Sequence, residues 1–125
     1  MGLKTLDFPS LKERESGLQI NFKVIIPSTR DETDKINRRA FEHRVDEMIK
    51  FIHRSFTGST VNYGIGTYEL NDKIIREDVA IISVFTDAET YNARDEILKR
   101  YLKEKKHSWG QKSISFEYEG NVFEI

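Results

Sequence analysis

The chain has 125 residues, of which 33% are charged, and 20 Lys and Arg nearly balance 21 Asp and Glu for a net charge of −1. This length fits one compact domain, and the near-zero charge gives no general attraction to nucleic acid. The sequence has no cysteine, which excludes disulfides, thiolate zinc sites and a cysteine nucleophile. Because it also lacks an apolar run long enough to span a bilayer and an apolar leader, we expect a cytoplasmic protein without membrane contact.

The first part of the chain predicts an arm followed by a strand. Residues 1–17 are polar and carry Pro9 and Gly17, so we expect an N-terminal arm before a single domain over residues 18–125. From Leu18 to Ile26 apolar and polar residues alternate, which is typical of a strand with one buried face. Pro27 should end this strand.

A long amphipathic helix follows the first strand. Asp31 and Asp34 offer N-cap oxygens before it, and Gly58 is placed to end it. The apolar residues of the segment recur at spacings of three and four, as the core face of a helix requires: Phe41, Val45, Met48, Ile49, Ile52 and Phe56.

The middle of the chain predicts a β-hairpin. Gly64 and Gly66 punctuate a strand of β-branched and aromatic residues, and Asn71-Asp72-Lys73 supplies a turn. The strand beyond the turn, which ends at Phe85, is apolar on both faces and therefore belongs in the centre of a sheet.

A second helix and a last strand complete the pattern. Thr86 and Glu89 have the spacing of a capping box. The apolar positions of the helix are Ala93, Ile97, Leu98, Tyr101 and Leu102, and the alternating residues of the strand are Ile114, Phe116 and Tyr118, with a short extension over residues 122–125.

The order β-α-β-β-α-β predicts an α+β, ferredoxin-like domain, with two helices on one face of a four-stranded antiparallel or mixed sheet. The apolar second face of the third strand needs a cover. Either the N-terminal arm or another subunit can provide it, and we favour a homodimer through the sheet.

Four short segments carry a resemblance to a known group of proteins: Phe56-Thr57-Gly58-Ser59-Thr60, Gly66-Thr67-Tyr68, Arg76-Glu77-Asp78 and Gly110-Gln111-Lys112-Ser113-Ile114. This set resembles small uncharacterised bacterial and phage-type ferredoxin-like proteins with a Phe-Gly-Gly-x-Thr hairpin motif. The chain departs from that pattern at Thr57 and Tyr68. The resemblance implies the fold and no particular activity.

The residues offer little catalytic chemistry. Gly64-Ile65-Gly66 lacks the third glycine and the following helix of a dinucleotide fingerprint. Glu77 and Asp78 are adjacent on a strand and point to opposite faces, although Glu69 could approach Glu77 across the hairpin. His43 and His53 are too far apart on one helix to share a metal, so we expect no metal site and no cofactor.

The sequence allows two roles for each of two further groups of residues. Arg30, Arg38, Arg39, His43 and Arg54 make the first helix locally basic and could hold an anion, but interleaved acids favour an ordinary solvated face. Trp109, near Gln111, marks a ligand site if it is exposed and covers the core if it is buried.

We therefore favour a non-catalytic binding module that oligomerises through its sheet and binds a small polar ligand, such as a nucleotide signal, or a protein partner. The predicted ligand-binding residues are Arg30, Asn62, Tyr63, Tyr68, Trp109 and Gln111. The first alternative is a small enzyme with a lone acid or base, Glu77, at a subunit interface. The second is RNA binding on the sheet, which lacks an aromatic stacking pair.

Overall fold

The computed structural model describes residues 20–31 and 33–125. The predicted arm over residues 1–17 and the predicted strand start at Leu18 lie outside these residues. The elements in chain order are β1 (Ile20–Pro27), β2 (Thr29–Arg30), β3 (Asp34–Lys35), α1 (Arg38–Ser55), β4 (Thr60–Leu70), β5 (Lys73–Thr86), α2 (Ala88–Ser108), β6 (Ser115–Tyr118) and β7 (Asn121–Glu124).

One sheet of five strands in the order β4-β5-β1-β6-β7 forms the centre of the fold, and every neighbouring pair is antiparallel. The α+β class predicted from the sequence is therefore confirmed. The extension after the last predicted strand is the edge strand β7, and β2 pairs with β3 in a small separate hairpin.

Both helices pack on the same face of the sheet. The ring of Phe22 in β1 lies 5.0 Å from that of Phe56, at the end of α1, and 5.7 Å from that of Tyr91, in the first turns of α2. Burial of apolar surface between these layers is the main stabilising contribution to such a fold. The opposite face, which we call the outer face, carries half-buried Ile25 and Ile81 and the exposed Phe85.

The hairpin of β4 and β5 is continuous from end to end. Asn71 and Asp72 form its two-residue turn, with φ of 52° and 64°, which is the left-handed geometry that matches strand twist in tight hairpins. The 14 residues of β5 run without a break to Thr86. Its inner positions from Ala80 to Thr86 are buried, whereas Phe85 on the outer face is 56% exposed, so the strand is central and its outer side is open at Phe85.

The helix boundaries differ from those predicted. The N-cap of α1 is Asn37, whose side chain accepts from the Ala40 amide, because Asp34 is used in pairing β2 with β3. The helix ends at Ser55, with Phe56 as its C-cap, ahead of Gly58.

In α2, Asp87 replaces the predicted Thr86 as N-cap, since Thr86 is the buried last residue of β5. Ala93 and Ile97 are exposed rather than in the core. No helix within residues 20–31 and 33–125 combines the length and the apolar character that a membrane crossing needs.

Candidate active site

A cleft of about 390 Å³ opens on the outer face, where the end of β1, the β4–β5 hairpin and the loop before β6 converge. This volume is within the usual range for small-ligand sites. The floor is apolar and the rim is polar. The residues that line the cleft are Ile25, Pro27, Thr29, Asp31, Tyr68, Leu70, Glu77, Val79, Gln111, Lys112, Ser113, Ile114, Ser115 and Glu124.

The carboxylate of Glu77 is held on one wall of the cleft. The hydroxyl of Thr29 donates a hydrogen bond of 2.9 Å to Glu77 Oε2. The strand partner of Glu77 is Gly66, where an added Cβ would lie 3.2 Å from Val79 Cγ1 and 3.8 Å from Glu77 Cγ. A side chain at Gly66 would thus crowd the wall on which Glu77 stands.

Tyr68 lies diagonally across the hairpin from Glu77, on the same face of the sheet. Burial, and secondarily the negative charge of Glu77, raise the pKa of the Tyr68 phenol. Tyr68 is therefore neutral at physiological pH and retains its proton as a hydrogen-bond donor.

Arg44 supports the cleft from behind. Its guanidinium is buried and donates to the carbonyls of Pro27 at 2.7 Å, Thr29 at 3.0 Å and Trp109 at 3.4 Å. It also lies 5.1 Å from the centre of the Trp109 ring, which is a cation–π distance. Burial, followed by the charge of Arg30, lowers the pKa of Arg44 to about 10, against an opposing effect of Glu77, so Arg44 remains a cation.

Gln111 connects the loop before β6 by hydrogen bonds to two of the carbonyls that Arg44 also contacts. Its Nε2 donates to the carbonyl of Thr29 and, at 3.2 Å, to that of Trp109. Gly110 precedes it with φ of +63°, and an added Cβ there would be 3.0 Å from Arg30 Cγ. Glycine is needed at this position for both the turn and the close approach of the Arg30 segment.

The far side of the cleft carries a second fixed carboxylate. Glu124 accepts hydrogen bonds of 2.7 Å from the hydroxyls of both Ser113 and Ser115. Asp31 also lines the cleft, as does one lysine, Lys112. Carboxylates therefore outnumber cations among the lining residues, and the cleft is suited to a ligand with positive charge.

The structure divides the predicted ligand-binding residues among three places. Tyr68 and Gln111 line the cleft together with Glu77. Arg30 and Trp109 line a different pocket behind it. Trp109 is 5% exposed, so of the two alternatives predicted for it, the structure agrees with a tryptophan that covers the core.

Asn62 and Tyr63 line neither of these pockets. Asn62 is exposed on β4 opposite Ile81. Tyr63, on the helix face, lies against Phe41 and donates to Glu42 at 3.3 Å. The predicted approach of Glu69 to Glu77 is wrong, because Glu69 pairs with Ile74 and points to the opposite face.

Sequence reasoning missed Thr29 and Arg44. A signal for Arg44 did exist, since it stands among Phe41, Val45 and Met48 on the buried stripe of α1, and a cation there requires buried acceptors. Within the described residues no group of His, Cys, Asp or Glu is arranged to hold a metal ion.

Comparison with known proteins finds no matching family model and no matching curated protein. Two solved structures share the fold. A phage SAM lyase in complex with S-methyl-5'-thioadenosine aligns with a TM-score of 0.61 at 14% identity, over 85% of this chain and 88% of that chain. A phage SAM lyase in the apo state aligns with a TM-score of 0.56 at 14% identity, over 85% and 87%.

These comparisons correct the leading sequence-based interpretation. The preference for a non-catalytic binding module was wrong, because the solved structures that share this fold are those of an enzyme that binds a small nucleoside ligand. The alternative of a small enzyme that uses Glu77 is the interpretation that we carry forward as a proposal.

Proposed function

We propose that the protein is an enzyme that binds S-adenosylmethionine (SAM) in the cleft beside Glu77 and releases S-methyl-5'-thioadenosine from it. The observation that carries this proposal is the Glu77 carboxylate, fixed by Thr29 and accompanied by Tyr68, in a ligand-sized cleft. The fold shared with phage SAM lyase supports the choice of substrate.

The charges of the cleft match those of SAM. The substrate carries a sulfonium, an ammonium and a carboxylate group. Glu77 and Tyr68 provide negative charge and an aromatic face for the sulfonium. Glu124 and Asp31 can take the ammonium group and Lys112 the carboxylate, while the apolar floor receives the nucleoside.

Release of S-methyl-5'-thioadenosine requires the bond between sulfur and Cγ of the amino acid chain to break, with its electron pair passing to sulfur. The nearest nucleophile is the substrate's own carboxylate. One of its oxygens can attack Cγ, closing a five-membered lactone as the sulfur departs as a neutral thioether. Atoms and charge balance without water or a proton donor.

The protein contributes to this step by position and electrostatics. It must hold the amino acid part of SAM in a folded conformation, so that a carboxylate oxygen approaches Cγ closely. Such positioning greatly increases the rate of a cyclisation. Glu77 attracts the cationic substrate into this position. If Glu77 acts instead as a base, its carboxylate takes a proton from Cβ and the C–H electron pair forms a Cβ–Cγ double bond. The S–Cγ bond breaks with its pair passing to sulfur, so the products are S-methyl-5'-thioadenosine and an unsaturated amino acid.

The test is incubation of the purified protein with SAM, with both products followed by chromatography and mass spectrometry. We expect S-methyl-5'-thioadenosine and a lactone from the wild type, and loss of both in Glu77→Gln at an unchanged melting temperature. Asp78→Asn is the matched control, because Asp78 points to the opposite face of the same strand. Equal turnover in Glu77→Gln and wild type would contradict the proposal.

Two predictions about the architecture also remain proposals. We propose that the domain is ferredoxin-like, a reading supported by the strand order β4-β5-β1-β6 and by both helices lying on one face. A homodimer through the outer face also remains a proposal, supported by the 56% exposure of Phe85 on that face. Native mass spectrometry tests the dimer, and a monomer at all concentrations would exclude it.

A further inference from the structure

A second cavity lies behind the cleft, on the other side of Arg44, where the start of α1 faces the end of α2. Its volume is about 630 Å³. The proposed SAM chemistry does not use it. The residues that line it are Arg30, Ile36, Asn37, Arg39, Ala40, His43, Arg44, Glu47, Lys105, Ser108 and Trp109. We call it the basic pocket.

The charge of the basic pocket is strongly unbalanced. Arg30, Arg39, Arg44 and Lys105 line it against a single carboxylate, that of Glu47. Lys105 already forms an ion pair with Glu47, and His43 lies 3.3 Å from the same carboxylate group.

Two of the arginines have donors that no carboxylate of the described residues uses. Among the residues that the structure describes, no carboxylate forms an ion pair with Arg30 or Arg39. Both side chains are exposed at the rim. Each guanidinium therefore offers its planar set of donors to a ligand, in the geometry that recognises phosphate with two parallel hydrogen bonds.

Two of the cations in the basic pocket repel each other. Arg30 contributes to lowering the pKa of the buried Arg44, which means that the two cations are close enough to interact unfavourably. The first turn of α1 contains no acidic residue, although acids are favoured there. A bound anion would reduce the repulsion between Arg30 and Arg44 and would supply the negative charge that the first turn of α1 lacks.

We propose that the basic pocket binds a small, multiply charged phosphate compound, held by Arg30 and Arg39. Two free guanidinium groups match a pyrophosphate unit better than a single carboxylate. The ring of Trp109 is buried and covered on one face by Arg44. It gives no platform for stacking a base, so recognition runs through the phosphates.

This site is separate from the proposed active site but shares a wall with it. Arg44 lines the basic pocket, and its guanidinium donates to the carbonyl of Thr29, whose hydroxyl in turn holds Glu77. The inference does not depend on the SAM reaction, because binding of phosphate is measured with or without turnover.

Calorimetric titration of inorganic pyrophosphate into the full chain at low ionic strength tests the site. We expect saturable one-to-one binding by the wild type, weakened at least about tenfold in Arg30→Gln/Arg39→Gln, since two charge-assisted contacts are lost. The matched control is Arg38→Gln. Arg38 is adjacent to Arg39 but forms an ion pair with Glu42, and it does not line the basic pocket. The affinity of Arg38→Gln for pyrophosphate should lie within about twofold of that of the wild type.

Three results would overturn the proposal: no saturable binding by the wild type, equal weakening in the control and the double variant, or undiminished binding in the double variant. Circular dichroism and melting temperature confirm that both variants are folded. Inorganic phosphate and a nucleoside triphosphate, titrated in parallel, show how many phosphate groups the pocket takes.

Discussion

Thr29 and Glu77 are 48 residues apart in the chain, yet the hydroxyl of Thr29 donates a 2.9 Å hydrogen bond to the Glu77 carboxylate. The contact joins the segment after β1 to the hairpin strand β5 and fixes the one carboxylate on which the proposed activity depends. The Thr29 carbonyl is fixed in turn by Arg44 and Gln111, so a buried cation helps to position the residue that holds the Glu77 carboxylate.

Thr29→Val should lower the rate of SAM cleavage while retaining the fold. The substitution removes the hydroxyl and preserves the shape, so we expect kcat/KM to fall about tenfold, equivalent to about 1.4 kcal/mol of transition-state stabilisation. Thr67→Val, at an exposed position of β4, is the control. A full rate in Thr29→Val would show that Glu77 does not need this hydrogen bond.

Arg44→Met should destabilise the domain strongly. The change removes the buried Arg44 donor from the carbonyls of Pro27, Thr29 and Trp109, although Gln111 still donates to the last two. We expect a loss of about 2–4 kcal/mol in the free energy of unfolding. Urea denaturation measures it. Arg38→Met, which breaks an exposed ion pair with Glu42 and a cation–π contact with Tyr63, should cost less than about 1 kcal/mol. Similar losses in both variants would contradict the role assigned to Arg44.

Gly110→Ala should cost stability for two reasons. At φ of +63° the alanine is strained, and its Cβ would meet Arg30 Cγ at 3.0 Å, so we expect a loss of about 1–3 kcal/mol. Gly120→Ala separates these causes, because Gly120 has φ of +84° but nothing within 4 Å of an added Cβ. Thermal unfolding should rank Gly110→Ala as the more damaging, and the reverse order would contradict this account of the turn.

The ion pair between Glu47 and Lys105 should make stability pH-dependent. The hydrogen bond from Lys105 holds the pKa of Glu47 below its ordinary value of 4.5, and the same contact raises the pKa of Lys105 above 10.5. A lowered carboxylate pKa stabilises the folded state above the ordinary value and loses this effect as pH falls through the folded pKa.

Glu47→Gln should therefore be less stable than the wild type between pH 4.5 and 10.5, and the difference should close in acid below the first of these values. Urea unfolding across this range measures it. Glu104→Gln, at an exposed position of α2, is the control. A constant difference between Glu47→Gln and wild type down to low pH would exclude the mechanism.

Much of the fold was accessible from the sequence because it follows from periodicity. Alternation in β1 and the three-and-four spacing in α1 depend on which face is buried, and both are local properties of the chain. The turn at Asn71-Asp72 was equally readable, since few residues accept two successive left-handed conformations. The N-cap residues of the helices were less predictable, because Thr86 and Asp34, the predicted caps, are paired in strands instead.

The site was only partly predictable, since it depends on contacts between distant segments. Glu77, Tyr68 and Gln111 were identified as candidates, and the fold brings them to one cleft. Their grouping with Arg30 and Trp109 failed because the backbone around Thr29 separates the cleft from the basic pocket. The contact of Thr29 with Glu77 has no local signature in the sequence.

The most direct test of the central claim is an NMR titration of the isotopically labelled chain with S-methyl-5'-thioadenosine. We expect saturable amide shifts concentrated at Thr29, Tyr68, Glu77 and Gln111, and none at Arg94, which is exposed on α2 on the other side of the sheet. Shifts confined to the basic pocket, or no saturable shifts at all, would contradict the assignment of the cleft as the nucleoside site.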